Sequence, residues 1–395
     1  MTWKRRIKFA GLAVLVVLAI YLALPQNHFI IRALIYQHVN IDDYTLFHNR
    51  TVKKGIGQPW AVSPSYNTYN LSEDQLKYFD QFKTVAYLVI KDTAILSETY
   101  WDGYGQNSIS NSFSMAKSIV SLLVGCAVQD GFIKSIDEPI GNYLPEFKEG
   151  DKGKVTIKHL LTMSSGLSWD ESYSSLFSLT TKGYYGKDLP KLVLNQDAIK
   201  EPGKIFEYRS GDTQLLSLIV EKATGKYLAD YASERIWSKI GAENDALWCL
   251  DRKDGVEKAF CCFNSNARDF ARFGQLILNH GQWKGEQIIS ADYLKDSFIP
   301  ADYLIDSESG KPCNFYGYQW WMINFEGYNV IYARGILGQY IFAIPELNAV
   351  IVRLGHIRNS NKIDGHPEDV HMYLKFGIDI VKSTTNQERS EERRV

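Results

Sequence analysis

The segment Asn111 to Gly125, NSFSMAKSIVSLLVG, limits what this chain can become more than any other. With Ser114 at the start of a helix, Ser114, Lys117, Ser118, Ser121 and Gly125 fall on one stripe. Met115, Ala116, Ile119, Val120, Leu122, Leu123 and Val124 cover the rest. A helix apolar around most of its circumference belongs in a protein interior, and Lys117 is drawn in with it. An unpaired buried ammonium is costly or is driven toward the neutral amine, so a fold keeps such a lysine only where something compensates. The serine one turn earlier supplies a reason. At a helix N-terminus a hydroxyl feels the field of the aligned peptides, and a backbone N–H there can face a developing oxyanion. A desolvated lysine amine one turn on serves as its base. The plainer alternative is a capping serine with a lysine that reaches solvent.

The chain can bury such a helix. It has 395 residues, 45% of them hydrophobic and 23% charged, which is the composition of a folded protein with a large core. A formal net charge of −1 gives no footprint for nucleic acid. Cys126, Cys249, Cys261, Cys262 and Cys313 form no CxxC and no cluster with histidine, which argues against a zinc site or a disulfide framework; being odd in number, at least one stays unpaired. No metal and no organic cofactor is called for.

The beginning of the chain has its own logic. Lys4, Arg5, Arg6 and Lys8 precede the apolar run Phe9 to Leu24, which as a helix spans about 24 Å, nearly a bilayer core once Ile7 joins and Lys8 snorkels. Small residues suited to signal cleavage are missing where they would be needed, so an uncleaved anchor is expected, with a cleaved signal peptide and a buried core helix as alternatives. The basic flank keeps the N-terminus in the cytoplasm and sends the remainder to the periplasmic or extracellular side. After it, FIIRALIYQHV has the character of an interfacial helix.

Strand patterns occur at both ends of the remaining chain. TVAYLVIK (Thr84 to Lys91) and AILSETYW (Ala94 to Trp101) flank Asp92-Thr93, a two-residue hairpin turn. GYQWWMINF, NVIYARGI, QYIFAIP and NAVIVRLG follow between Gly317 and Gly355. Between these groups the pattern is helical, at DEPIGNYLPEF, VTIKHLLTM, TQLLSLIVEKATG and RDFARFGQLILNHG, and a last amphipathic helix fits Pro367 to Ser383. The expected fold is α/β of the α+β type: one antiparallel sheet built from both chain ends, flanked by helices, with a mostly helical domain inserted and a transmembrane helix in front.

Two further elements bear on the Ser114 and Lys117 pair. FEYRSGDTQLLSLIVEKATGK puts Tyr208 on a loop just before an apolar-faced helix that Ser210 or Asp212 could cap. YARGILGQYIFAIPE puts Gly335 and Gly338 between two strands, where bare backbone N–H groups can face a substrate. Taken singly, Tyr208 reads as a packing aromatic and the glycines as turn residues.

In the order SMAK, HLLTMSSGL, FEYRSGDTQLL, ARGILGQYIFAIPE, the chain resembles the serine β-lactamase and penicillin-recognising family on its class C and D-alanyl-D-alanine carboxypeptidase side, nearest the 6-aminohexanoate-dimer (nylon-oligomer) hydrolase branch. The resemblance runs from about Asp43 to Lys382. It implies a β-lactamase-like fold and a covalent acyl-enzyme, with Ser114 as nucleophile, Lys117 as its base and Tyr208 passing the proton to the leaving group. It further implies an oxyanion hole from the backbone N–H groups of Ser114 and Ile336, contacts to substrate from Gly335, and in Tyr173 a tyrosine that closes over an amide. The implied layout is a cytoplasmic basic tail (1–6), a transmembrane signal anchor (7–24), a connector (25–50), a hydrolase domain (51–384) with its helical part at about 113–265, and a disordered tail (385–395).

The third motif departs from the family pattern. Where a Lys or His followed by Thr-Gly is usual, this chain has Ala333-Arg334-Gly335, and Ala333 offers no cation to a substrate carboxylate. Arg334 replaces it only if it faces the cleft, and strand alternation leaves either direction open. With no cation, a neutral ester should be cleaved in preference to a cephalosporin or a D-alanyl-D-alanine peptide. The leading expectation is a membrane-anchored serine hydrolase acting on a small-molecule amide or ester, or a peptide. The rivals are a non-catalytic binding or scaffold protein of the same fold and a true DD-peptidase or β-lactamase.

Overall fold

The computed structural model describes residues 3–392, with side-chain surroundings through Thr384. Seven strands form the main sheet among the described residues: β1 (Ala61–Val62), β2 (Thr84–Lys91), β3 (Ala94–Tyr100), β4 (Trp321–Phe325), β5 (Tyr328–Gly335), β6 (Gln339–Ile344) and β7 (Ala349–Gly355). Their spatial order is β4-β5-β6-β7-β2-β3-β1, so strands from the two ends of the chain meet where β7 pairs with β2. All neighbours run antiparallel except β1, which lies parallel to β3. Asp92 and Thr93 both have positive φ, as a two-residue turn matched to strand twist requires, and Lys91 pairs with Ala94 across it.

Alternation along the strands sends side chains into two cores. Leu88, Ile90, Ile341, Val350 and Val352 enter one, and Tyr87, Val89, Phe342 and Ile351 the other. The helices that concern the site and the chain ends are α1 (Trp3–Ala23), α2 (His28–Tyr36), α3 (Met115–Gln129), α4 (Leu179–Tyr185), α5 (Ser210–Thr224), α6 (Ala267–Leu278) and α7 (Glu368–Glu392). α3 and α6 cover the first face and α7 the second. Helices thus sandwich the sheet, as expected, although DEPIGNYLPEF yields only short 3-10 turns. The closing helix continues in backbone to Glu392, past Ser383, so the tail expected to lack structure from 385 is helical there and otherwise lies outside the described residues, as do the first two residues of the basic tail.

α1 carries no buried residue and is long and apolar enough to cross a membrane. A second, small sheet joins Asn49–Val52, Ala246–Cys249, Phe263–Ser265 and Ser110–Asn111, which fixes the approach to α3. Cys261 and Cys262 are joined in a disulfide between neighbours, and Cys126, Cys249 and Cys313 are free, buried thiols.

Candidate active site

Ser114 stands at the entrance to α3. The Ser112 N–H donates to Phe263 O at 2.8 Å and the Phe113 N–H to Asn111 Oδ1 at 2.8 Å. These bonds hold Phe113 at φ 44°, a left-handed conformation that a bulky residue adopts only when its surroundings impose it. The Ser114 hydroxyl caps no N–H of its own helix. Its Oγ lies 3.1 Å from Lys117 Nζ. Further down the stripe, Ser118 Oγ donates to Gln319 O at 2.7 Å, Ser121 meets Tyr293, and a Cβ on Gly125 would strike the Tyr293 ring at 2.5 Å. The polar stripe therefore serves the site at its first two positions and inter-element packing at the rest.

Lys117 is 1% exposed, which removes the solvent-reaching alternative. Its Nζ has three neighbours: Ser114 Oγ, Ser210 Oγ at 3.0 Å and Phe260 O at 3.0 Å. The Tyr208 ring centre is 5.0 Å away. Proton inventory assigns these contacts. A backbone carbonyl only accepts, and the single Ser210 hydroxyl proton goes to Glu171 Oε1 at 2.6 Å, so Ser210 also accepts from the lysine. Two N–H bonds are thereby used. The remaining position on Nζ points at Ser114, as a third N–H in the ammonium or as a lone pair in the amine.

Glu171 was not singled out by the sequence, yet it organises this corner. Its Oε2 accepts the Ser210 N–H at 2.6 Å and Trp169 Nε1 at 2.8 Å, and its Oε1 also accepts the Tyr173 hydroxyl at 2.6 Å. It therefore caps α5 from a remote loop, favoured there by the helix field. Neither Ser210 nor Asp212 caps that helix by its own side chain, contrary to expectation. Asp212 is buried instead, with Oδ1 accepting from Ser165 Oγ at 2.7 Å, and burial pushes its carboxyl up to about 7. The signal that could have exposed Glu171 is an acid beside a tyrosine in SWDESYSS, a loop otherwise rich in small polar residues.

The end of β5 closes the opposite wall. A Cβ on Gly335 would sit 2.3 Å from Ser112 O, so glycine is required there for the sheet to approach the Ser114 loop. Ile336 follows on a tight turn and lines the cleft beside Ser114. Ala333 is buried in the core, on the face away from the cleft. Arg334 lines the cleft, its guanidinium 3.4 Å from the centre of the Trp321 ring, and its Nη1 has no hydrogen-bond partner among the described residues. The cation thought lost with Ala333 is thus restored from the next position, and the ground for expecting a preference for neutral esters is removed.

The cleft has two arms that meet at Ser114, Tyr173, Ile336 and Arg358. One, about 980 Å³, holds Tyr208, Arg209, Arg334 and several acids; the other, about 560 Å³, is walled by Phe113, Leu176, Tyr185, Phe260 and Leu337. Tyr173 stands 55% exposed at the junction. Ser114, Tyr173, Tyr208, Arg334, Gly335 and Ile336 line the cleft and Lys117 lies against it, whereas Ala333 is in the core and Gly338 packs against Arg353 outside it.

The sequence matches the Beta-lactamase family over residues 73–370, most of the chain. The chain belongs to that family. It is a serine hydrolase acting on amide or ester bonds. The 6-aminohexanoate-dimer hydrolase of Paenarthrobacter ureafaciens is 26% identical over 286 residues, covering 69% of this chain and 72% of that protein. Among solved structures, a Bacillus anthracis protein provisionally named a 6-aminohexanoate-dimer hydrolase superposes with TM-score 0.75 at 23% identity, covering 87% of this chain and 94% of that one. A family VIII carboxylesterase superposes with TM-score 0.64 at 18% identity, covering 82% and 99%. These structural likenesses establish the Beta-lactamase fold.

Proposed function

We propose that this Beta-lactamase family member is a membrane-anchored hydrolase that cleaves its amide or ester through an acyl-enzyme on Ser114. The observation that carries the reading is the Lys117 amine, sealed from solvent and 3.1 Å from Ser114 Oγ with its other two hydrogen-bond positions already engaged. The neutral amine takes the Ser114 proton as Oγ attacks the substrate carbonyl. The ammonium so formed is then stabilised by Phe260 O and, through Ser210, by Glu171. The backbone N–H groups of Ser114 and Ile336 receive the oxyanion, and Tyr208, whose ring lies over the lysine, hands the proton to the leaving group. Water releases the acyl group by the same path in reverse. Arg334 meets a substrate carboxylate, and Tyr173, held by Glu171, covers the scissile bond.

α1 is the anchor in this reading, with the hydrolase unit of residues 51–384 on the exported side; its support is the exposed apolar helix behind a basic flank. A peptidase or β-lactamase is favoured over a plain esterase by one feature, the placement of Arg334 in the cleft wall. Intact-mass labelling with a fluorophosphonate and, separately, a penicillin tests the assignment. One adduct on Ser114 from the fluorophosphonate is expected; no adduct, or an adduct elsewhere, would refute it. Labelling by penicillin as well would mark the peptidase or lactamase variant.

A further inference from the structure

The apolar arm of the cleft reaches a part of the chain that a hydrolase site does not need. Ala33, Gln37, His38 and Val39, at and beyond the end of α2, line its far wall. α2 is docked firmly: Phe29, Ile30 and Ala33 are buried, Arg32 donates to Leu46 O at 3.1 Å, and Tyr36 stacks on Tyr185 of α4. Yet its opposite face is apolar too, with Ile31, Leu34 and Ile35 at 37%, 51% and 66% exposure. A short helix apolar on all sides, half of it seated on protein, needs a second apolar medium for the other half. The chain places one beside it. Only Leu24 and the turn Pro25–Asn27 separate α2 from the bilayer-length α1, and the nine residues of α2 extend about 14 Å. On the anchor reading above, the mouth of the apolar arm opens near the membrane surface.

The other arm has the reverse chemistry. Arg209 is 1% exposed and its Nε and Nη1 lack partners among the described residues, as does Arg334 Nη1, while Glu207 is engaged with Lys200 and Arg209, Glu308 with Lys362 and Asp306 with Ser309, and Asp364 stands exposed at the rim. The unsatisfied groups are donors, and they call for an anion. Tyr208 lines this arm and not the apolar one, so the leaving group departs on the charged side and the acyl group remains on the apolar side.

We infer that the substrate is a membrane-resident amphiphile in which an amide or ester joins a long fatty acyl chain to a small carboxylate-bearing head, and that α2 holds the cleft at the bilayer surface to receive the chain. The inference rests on the acyl-enzyme and anchor readings above. For the amide, the Ser114 Oγ–C bond forms and the C–N bond breaks, and the amine leaves with the proton passed by Tyr208. Water then cleaves the acyl-enzyme to free fatty acid and Ser114.

The test uses the full chain in phosphatidylcholine and phosphatidylglycerol vesicles, with N-hexadecanoylglycine and N-acetylglycine as probes and release of glycine as readout. The long-chain probe should show at least a hundredfold higher kcat/KM. Leu176→Trp, which fills the apolar arm, should reduce that ratio at least tenfold. Since this change could disturb its loop, Ile31→Glu with Ile35→Glu on the exposed face of α2 is the second variant, and it should lower the ratio by a similar factor. Fluorophosphonate labelling of Ser114 is followed in each sample. Equal rates on both probes, or hydrolysis of neither, with Ser114 still labelled would overturn the substrate class alone; loss of labelling in the unaltered protein would overturn the hydrolase reading and this inference with it.

Discussion

Two lysines are buried to nearly the same degree, Lys117 at 1% and Lys258 at 0% exposure, and they differ in everything else. Lys117 Nζ has two hydroxyls and a carbonyl within 3.1 Å, and both serines that carry those hydroxyls line the cleft. Among the described residues Lys258 Nζ has a single carbonyl partner, Gly183 O at 3.3 Å, and the face of Phe47 at 4.9 Å; it lines neither arm of the cleft. Burial pushes Lys258 down to about 8, with Asp251 opposing the fall. Burial therefore does not by itself create a base for a reaction. What distinguishes Lys117 is a set of neighbours that uses up two of its hydrogen-bond positions and directs the third at a nucleophile.

The largest effect should come from breaking that arrangement. Lys117→Ala should lower acylation by roughly 10²- to 10⁴-fold while leaving the fold intact, as measured by burst kinetics with an activated ester and by circular dichroism. Near-normal acylation would erase the distinction between the two lysines. Tyr208→Phe should cost a comparable factor for an amide substrate and less for a p-nitrophenyl ester, whose leaving group needs no proton; equal losses on both would remove Tyr208 from leaving-group protonation.

Lys258→Met should act in the opposite sense, on stability and not on turnover. The folded-state value of about 8 lies below the ordinary 10.5, so the wild type is penalised below pH 8, where the lysine is charged in both states. The penalty fades as pH rises toward 10.5. Replacing it with an apolar side chain of similar volume should therefore stabilise the protein at pH 7 by up to roughly 3 kcal/mol, with the gain shrinking between pH 8 and 10.5. Thermal unfolding across that range checks both magnitude and slope, and a gain independent of pH would contradict the assignment.

The smallest effect concerns Glu171. Glu171→Gln keeps the shape but gives Ser210 a neutral acceptor and weakens support for the Lys117 ammonium, so kcat should fall about tenfold with little change in KM. Its diagnostic is the split between activity and stability: the amide keeps the size of the carboxylate but not its charge, so kcat should fall by more than any loss of Tm explains. A purely architectural cap would lower the Tm and leave kcat unchanged.

Much of this was legible in the chain itself. The 3.6-residue period of α3 put Ser114 and Lys117 on one stripe, strand alternation fixed which residues of β2 and β5 to β7 share a face, and Asp92-Thr93 fixed a hairpin, because each is decided by bonds and sterics within a few residues. The direction of Arg334, the capping of α5 by Glu171 from 39 residues upstream, the joining of Cys261 to Cys262, and the contribution of Ala33 to Val39 to the cleft were not legible. The stripe also implied more than it delivered, since Ser118, Ser121 and Gly125 serve packing against Gln319 and Tyr293. By itself the sequence determined the periodicities, and with them which side chains share a face and which must be buried. Which medium each face meets, core, cleft or bilayer, was decided only in the tertiary structure, because contacts such as Lys117 to Phe260 join residues 143 apart and depend on how whole elements pack, a balance no local pattern contains.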